Sequence, residues 1–293
     1  MNFTKFILLF FKKLLICVKK MPELPEVEVT RRGIVPYLQG KIVSNVITRR
    51  DGLRWPFPKN IKDILVNKKI TSVDRRGKYL LINFNIGTLI IHLGMSGTLS
   101  LKTQKDLPNK HDHFDLIVEQ KIIRFNDPRR FGLVLWHKIE NGSVQSHKLL
   151  KDLGEEPLDS LNLGKSLFLK TRNKISSIKQ VLISGKVVVG IGNIYASESL
   201  FLAKINPSTS AKKIYSKRYA RLSSSIISVL NQSIINGGSS LRDFVNINGK
   251  LGYFQQNYFV YNREGLPCKN CKSKIKKINI SQRSTFFCPK CQK

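Results

Sequence analysis

Four of the five cysteines fall within the last 26 residues, as Cys268-x2-Cys271-x16-Cys288-x2-Cys291. A segment that short buries too little apolar surface to fold unaided, so something must staple it. Two Cys-x-x-Cys knuckles at this separation each present two thiolates to one ion, the ligand set of a tetrahedral zinc ribbon. Two disulfides in a secreted domain are the alternative, but nothing else in the chain is disulfide-like. The fifth cysteine, Cys17, lies near the other end. The ribbon also carries eight Lys or Arg and no acidic residue, a surface that suits a polyanion.

The whole chain shares that bias. Its 293 residues hold 51 Lys plus Arg against 19 Asp plus Glu, a net charge of +32. The length allows two or three modest domains. The charge points to nucleic acid or an anionic membrane surface, and composition alone does not choose between them.

Residues Met1 to Lys20 alternate apolar runs (Phe6 to Phe11, Leu14 to Val18) with Lys5, Lys12, Lys13, Lys19 and Lys20. Neither run reaches the roughly 18 to 20 residues that span a bilayer. A wrongly chosen start codon, a targeting peptide and a basic amphipathic anchor all fit. The first is favoured, because Met21-Pro22-Glu23-Leu24-Pro25-Glu26-Val27-Glu28 reads as a true start. With Met21 trimmed, Pro22 becomes a free secondary amine beside the carboxylate of Glu23. An α-amino group has a pKa of about 8 against about 10.4 for lysine, so far more of it is uncharged and nucleophilic at neutral pH. A secondary amine that attacks an aldehyde-like carbon forms an iminium cation, an electron sink for elimination at the next carbon. The alternative is that Pro22 and Pro25 only punctuate a linker before a helix.

A helix is predicted from Pro25, with Glu26 and Glu28 in its first turn and Gly40 as its stop. Eight short β-type runs follow: Lys41 to Thr48, Ile70 to Val73, Tyr79 to Asn83, Leu89 to Leu93, Thr98 to Leu101, Phe114 to Glu119, Ile122 to Phe125 and Leu133 to Trp136. Turn residues separate them, the pattern of a β-sandwich or flattened barrel. After about Ser146 the pattern turns helical, over Ile175 to Ile183, Gly192 to Ala203, Lys212 to Ile235 and Ser239 to Phe244. The expected architecture is α+β and multidomain: an extension over 1–20, a β-sandwich domain with an initial helix over 21–145, a helical domain over 146–262 and a zinc hairpin over 263–293.

Seven segments carry a resemblance. Met-Pro-Glu-Leu-Pro-Glu-Val-Glu from Met21, Arg-Arg-Gly-Lys-Tyr-Leu-Leu from Arg75, His-Leu-Gly-Met-Ser-Gly from His92, Lys-His-Asp-His from Lys110, Asp-Pro-Arg-Arg-Phe-Gly from Asp127, Val-Gly-Ile-Gly-Asn-Ile-Tyr-Ala-Ser-Glu from Val189 and Gln-Arg-Ser-Thr-Phe-Phe-Cys from Gln282 resemble bacterial formamidopyrimidine-DNA glycosylase. The likeness runs from Met21 to Lys293. It implies a helix-two-turn-helix DNA-binding domain and an enzyme that excises oxidised purines, such as 8-oxoguanine and formamidopyrimidines, from damaged double-stranded DNA. Strand cleavage as an AP lyase would then follow by β,δ-elimination through a Schiff base. The target base must leave the stack, at a cost of a few kcal/mol that damage partly relieves.

The same resemblance assigns roles. Pro22 would attack the sugar C1′, Glu23 would be the acid, Lys78 would reach the phosphate and base region, and Arg283 would grip the phosphates flanking the lesion and serve δ-elimination. His111, Arg129, Lys174, Lys179 and Asn193 would contact DNA. A helix N-terminus at Asn193 is itself an anion site. For His111 and His113, phosphate contact by His111 is preferred over metal binding. Met95, Arg129 and Phe131 would fill the hole left by the extruded nucleotide, an aromatic wedge and a long side chain replacing lost stacking. The segment Gly237 to Tyr253 resembles a lesion-recognition loop. One structural Zn2+ on Cys268, Cys271, Cys288 and Cys291 would have a closed coordination sphere with no place for a reactive water.

Two other readings are kept. An endonuclease VIII-type enzyme for oxidised pyrimidines shares the Pro-Glu start and the zinc hairpin, although Leu24-Pro25 and the Arg-Arg-Phe run favour the purine branch. A non-catalytic zinc DNA-binding protein would follow if Met1 were the working terminus. The expected setting is a monomer in the bacterial cytoplasm, associated with the nucleoid and with no stable membrane attachment.

Overall fold

The computed structural model describes residues 21–239 and 257–293. Helix α1 (Leu24–Leu38) opens the described chain, with Pro25 in its first turn, where a missing N–H costs nothing. Its buried stripe serves two cores. Leu24 inserts among the helices of the second half, whereas Val27, Ile34 and Leu38 pack into the sandwich. The residue just before the helix, Glu23, is therefore fixed at the seam between the halves.

All eight expected strands form: β1 (Val43–Thr48), β2 (Ile70–Arg76), β3 (Tyr79–Phe84), β4 (Gly87–His92), β5 (Thr98–Thr103), β6 (Asp112–Val118), β7 (Lys121–Asn126) and β8 (Leu133–Lys138). They make two antiparallel four-stranded sheets, ordered β1-β6-β7-β5 and β2-β3-β4-β8. Alternation supplies the facing surfaces: Leu80, Ile82 and Phe84 of β3 point into the common core with Leu116 and Phe125, and Leu81 points out to a small cluster with Ile90 and Leu150. β2 runs three residues past its expected end. Asp74, Arg75 and Arg76 read as polar loop, but both arginines find carboxylate partners and stay in the ladder. A short helix that the pattern did not announce, α2 (Ile61–Leu65), plugs the sandwich with Ile61 and Leu65.

The second half packs α3 (Leu163–Thr171), α4 (Ile178–Ile183), α5 (Asn193–Leu202) and α6 (Ser216–Ile235) around one apolar core. In α6, Tyr219, Leu222, Ile226, Val229 and Leu230 repeat at helical spacing and are buried. α3 was not expected. Its Gly164 reads as a breaker, yet a Cβ there would stand 3.0 Å from the Ala220 Cα, so the glycine permits close approach of α3 to α6. The expected helix from Lys212 begins instead as a 3-10 turn, Ala211–Lys213, and becomes α-helical at Ser216. Most of the expected helix Ser239 to Phe244, like residues 1–20 and most of the loop Gly237 to Tyr253, lies outside the described residues. The chain ends in a hairpin of β9 (Lys276–Ile280) and β10 (Arg283–Phe287). No described helix is long and apolar enough to cross a membrane.

Candidate active site at the domain seam

Glu23 stands at the N-cap of α1 with 4 % of its surface exposed. Its backbone N–H donates to Glu26 Oε2 (2.9 Å). Its carboxylate crosses to the helical half and accepts N–H groups at the start of α5: Gly192 (2.8 Å), Ile194 (3.0 Å) and Tyr195 (3.4 Å). Unpaired helix-terminal donors and the positive end of the dipole make that a natural carboxylate seat. Glu23 thus takes three of the donors at the helix start that was expected to meet a phosphate, those of Gly192, Ile194 and Tyr195. Burial raises the Glu23 pKa, and the Glu26 charge adds to this, against Lys78 and the helix N–H groups, which lower it. Pro22, the preceding residue, is buried at the same seam.

Lys78 occupies the two-residue turn between β2 and β3, where Arg76 pairs with Tyr79. It is half-buried and close enough to Glu23 and Arg283 to feel both charges. Burial and Arg283 lower its pKa, while Glu23 opposes them. A cavity of about 200 Å³ opens here between Met21, Lys78, Tyr79 and His92 on one side and Val189 to Ile191 on the other. His92 belongs to this site although sequence reasoning passed over it inside its own motif. Its ring lies tilted against that of Tyr79, centroids 4.7 Å apart, and its Nδ1 accepts the Gly94 N–H (3.0 Å). Burial, with the Lys78 and Arg54 charges, holds it down at about 4, so it is neutral at physiological pH.

Arg283 is exposed at the first position of β10, directly after a turn in which Ser281 and Gln282 both adopt positive φ (49° and 59°). Two non-glycine residues there store strain next to a candidate functional arginine. The hairpin is tied to the helices by two side chains that the sequence assigned to DNA. Lys179 is 0 % exposed, and its ammonium donates to Ser284 O (3.1 Å) and Thr285 Oγ1 (2.6 Å). Burial, with Arg283 adding, brings its pKa down to about 7. Lys179 therefore works as a strut for the hairpin and not as a surface phosphate ligand, a correction that follows from its complete burial. Asn193 is half-buried and donates to the same Ser284 O (2.9 Å). Lys174 is exposed and His111 half-buried, both at liberty to meet a ligand.

The expected void-filling residues converge on one loop pair. Asp127, fully buried, accepts Ser96 Oγ–H and the Gly132 N–H (both 2.7 Å), and Ser96 Oγ in turn accepts the Arg129 N–H (3.2 Å). This knot fastens the Met95 loop to the Arg129–Phe131 loop. The Arg129 guanidinium sits over the Phe131 ring at 4.8 Å, and Phe131 is 44 % exposed. Arg130 between them has φ +58°. His113 is buried with Nε2 on Asp127 O (3.1 Å), so it supports this knot, and among the described residues only the four cysteines make a group of three or more that could hold a metal ion.

The four cysteine sulfurs of the ribbon lie within 4.8 Å of one another. Cys268 and Cys291 are 3.9 Å apart, Cys271 and Cys288 3.4 Å. Zn–S bonds of about 2.3 Å in a tetrahedron put sulfurs about 3.8 Å apart, so the residues fit one structural Zn2+.

Three family models match in order: the formamidopyrimidine-DNA glycosylase N-terminal domain at residues 21–134, the formamidopyrimidine-DNA glycosylase H2TH domain at 153–245, and the zinc finger found in FPG and IleRS at 265–293. A formamidopyrimidine-DNA glycosylase of Herminiimonas arsenicoxydans is 56 % identical over 273 residues, 93 % of this chain and 100 % of that protein. Among solved structures, the MutM (Fpg) protein of Thermus thermophilus aligns with a TM-score of 0.82 at 34 % identity, covering 92 % of this chain and 98 % of that one. Lactococcus lactis Fpg in complex with DNA containing an abasic site aligns with a TM-score of 0.82 at 32 % identity, covering 92 % and 99 %. With its sandwich, its helical half and its four-cysteine ribbon in the matching order, the chain belongs to the formamidopyrimidine-DNA glycosylase family.

Proposed function

We propose that the protein is a base-excision-repair DNA glycosylase that removes oxidised purines, 8-oxoguanine and formamidopyrimidines, from duplex DNA and then cleaves the strand as an AP lyase. The observation that carries this reading is the seat of Glu23: a carboxyl with a raised pKa, next to Pro22 and within reach of the charge on Lys78, which in turn feels Arg283. Membership of the family and the relatives' names support the substrate class.

In this reading Pro22, freed of the residues before it, uses its nitrogen lone pair to attack C1′ of the damaged nucleotide. The C1′–base bond breaks, the proline nitrogen gives up its proton, and the C1′–O4′ bond opens to leave an iminium as Glu23 delivers a proton to the departing base or the sugar oxygen. A carboxyl whose pKa is raised by burial suits that transfer better than an ordinary one. The resulting iminium lets C2′ lose a proton and the 3′ phosphate leave, and a second elimination releases the 5′ phosphate. Lys78 and Arg283 hold the flanking phosphates as negative charge shifts. Met95, Arg129 and Phe131 occupy the vacated stack. Zinc braces the hairpin that presents Arg283. The enzyme acts as a monomer on nucleoid DNA in the bacterial cytoplasm.

Glu23→Gln tests the acid role. Single-turnover excision from an 8-oxoguanine duplex is expected to fall roughly 10²- to 10⁴-fold, the usual worth of a positioned acid. The Kd for the same duplex should stay within about threefold. Equal losses in excision and binding would contradict it.

A further inference from the structure

Glu156 has no place in the chemistry above, yet it is built into the turn that carries Lys78. It comes from the segment that leads into the helical half and crosses the seam to the β2–β3 hairpin. Its side chain is 14 % exposed and all of its visible bonds go to that hairpin. Oε1 accepts the Gly77 backbone N–H and Arg76 Nη1 (3.0 Å), and Oε2 accepts Arg75 Nη1 (2.8 Å). Arg76 returns the grip by donating Nη2 to Leu153 O (2.8 Å) and to Gly154 O.

The other side of the turn is equally constrained. Gly77 has φ +57°, and a Cβ there would lie 2.4 Å from Val189 Cγ2. The segments that carry Glu156 and Val189 are themselves bonded, Glu155 N–H to Val187 O (3.1 Å) and Val189 N–H to Glu155 O (3.0 Å). A few residues on, the same strand-like segment supplies Gly190 O to Leu24 N (3.1 Å) and the Gly192 N–H to Glu23. One element of the helical half thus fixes both the turn of Lys78 and the seat of Glu23.

A glycine-led two-residue turn forms without help, and a carboxylate that merely linked two domains would need only the two arginines. Glu156 also takes the main-chain N–H of the residue immediately before Lys78. We propose that Glu156 is a positioning residue for Lys78: by holding the Gly77 N–H it sets where the Lys78 ammonium stands relative to Glu23. This rests on the reading that Lys78 works on the DNA, and it adds that the helical half aims it.

A double-mutant cycle separates aiming from mere bracing. Single-turnover excision of 8-oxoguanine from duplex DNA is measured for the full zinc-loaded chain starting at Pro22, for Glu156→Ala, for Lys78→Ala and for the double variant. A displacement of about 1 Å in a reacting group costs up to on the order of 10²-fold. Glu156→Ala is therefore expected to slow excision roughly 10- to 100-fold when Lys78 is present, and less than about twofold in the Lys78→Ala background. The same loss in both backgrounds, or no loss in either, overturns the proposal. Glu156→Gln, which keeps the volume and one carbonyl acceptor, takes the place of Ala in the cycle if the truncation does not fold.

A second readout needs no activity. In the reductively 13C-methylated protein, the signal absent from Lys78→Ala reports Lys78, and Glu156→Ala, which removes the acceptor of the Gly77 N–H, is expected to change its chemical shift. An unchanged Lys78 signal overturns the proposal. If wild-type protein excises nothing, the functional reading fails, and the Lys78 signal still decides the role of Glu156.

Discussion

At the scale of single residues, the site depends on a carboxylate of one half seated on the helix start of the other. Gly192 shows how little room that seat has: a Cβ there would lie 2.3 Å from Glu23 Cδ. Its φ of −112° is open to alanine, so the effect of a substitution is steric and not conformational. Gly192→Ala is expected to displace the Glu23 carboxyl and lower single-turnover excision by on the order of 10²-fold. DNA binding should change less than about threefold. Wild-type excision by this variant would mean that the observed seat is not the working one. Pro22, Glu23, Lys78 and Arg283 stand out as candidates in the sequence because short motifs surround them. The seat itself could not, since it joins residues 169 or more positions apart. Lys179 read as a DNA contact because the resemblance places it in the helix-two-turn-helix element. Its burial depends on Ser284 and Thr285, which only the fold brings near.

At the scale of elements, the strands were legible because apolar alternation and turn residues act within a few positions. Their ends were less so, since β2 keeps Arg75 and Arg76 only because Glu28 and Glu156 receive them. α3 was illegible for the converse reason: Gly164 looks like a breaker until α6 lies against it. Glu28 is the ionic hub of α1, accepting Arg31 (2.8 Å), Arg32 (2.8 Å) and Arg75 (3.1 Å). Burial alone would raise its pKa, but the hydrogen bonds from Arg31 and Arg32 outweigh it and bring the group from 4.5 down to about 2. The folded-state value is the lower one, so the stabilisation is complete above pH 4.5 and is lost as pH falls towards 2. Urea titrations are expected to show Glu28→Gln less stable by about 1–3 kcal/mol at pH 7, with the gap closing below pH 4. A gap of equal size at pH 7 and pH 3 would assign the loss to packing instead of charge.

At the scale of the whole molecule, the proposed function gives a net charge of +32 and a zinc-held hairpin the same end, grip on a polyanion. The hairpin depends on the metal for its fold, and Lys179 and Asn193 couple it to the helices. Complete removal of zinc should therefore weaken duplex binding and flatten its salt dependence. The slope of log Kd against log salt is expected to shrink by about 0.9 for each phosphate contact the hairpin supplies. An unchanged slope in the metal-free protein would show that the ribbon takes no part in binding. The order of sandwich, helices and ribbon was legible in the changing hydrophobic period and the cysteine spacing. What local pattern withheld was the seam, where Leu24 of α1 enters the core of the helical half and Glu156 returns to the sandwich.

The central claim, a nucleophilic imino nitrogen at Pro22, is tested most directly by borohydride reduction during reaction with an 8-oxoguanine duplex. Protein that begins at Pro22 is expected to become covalently joined to the DNA, and protein that retains Met21 or residues 1–20 is expected to give no adduct. Equal trapping of both forms would place the nucleophile elsewhere and contradict the account.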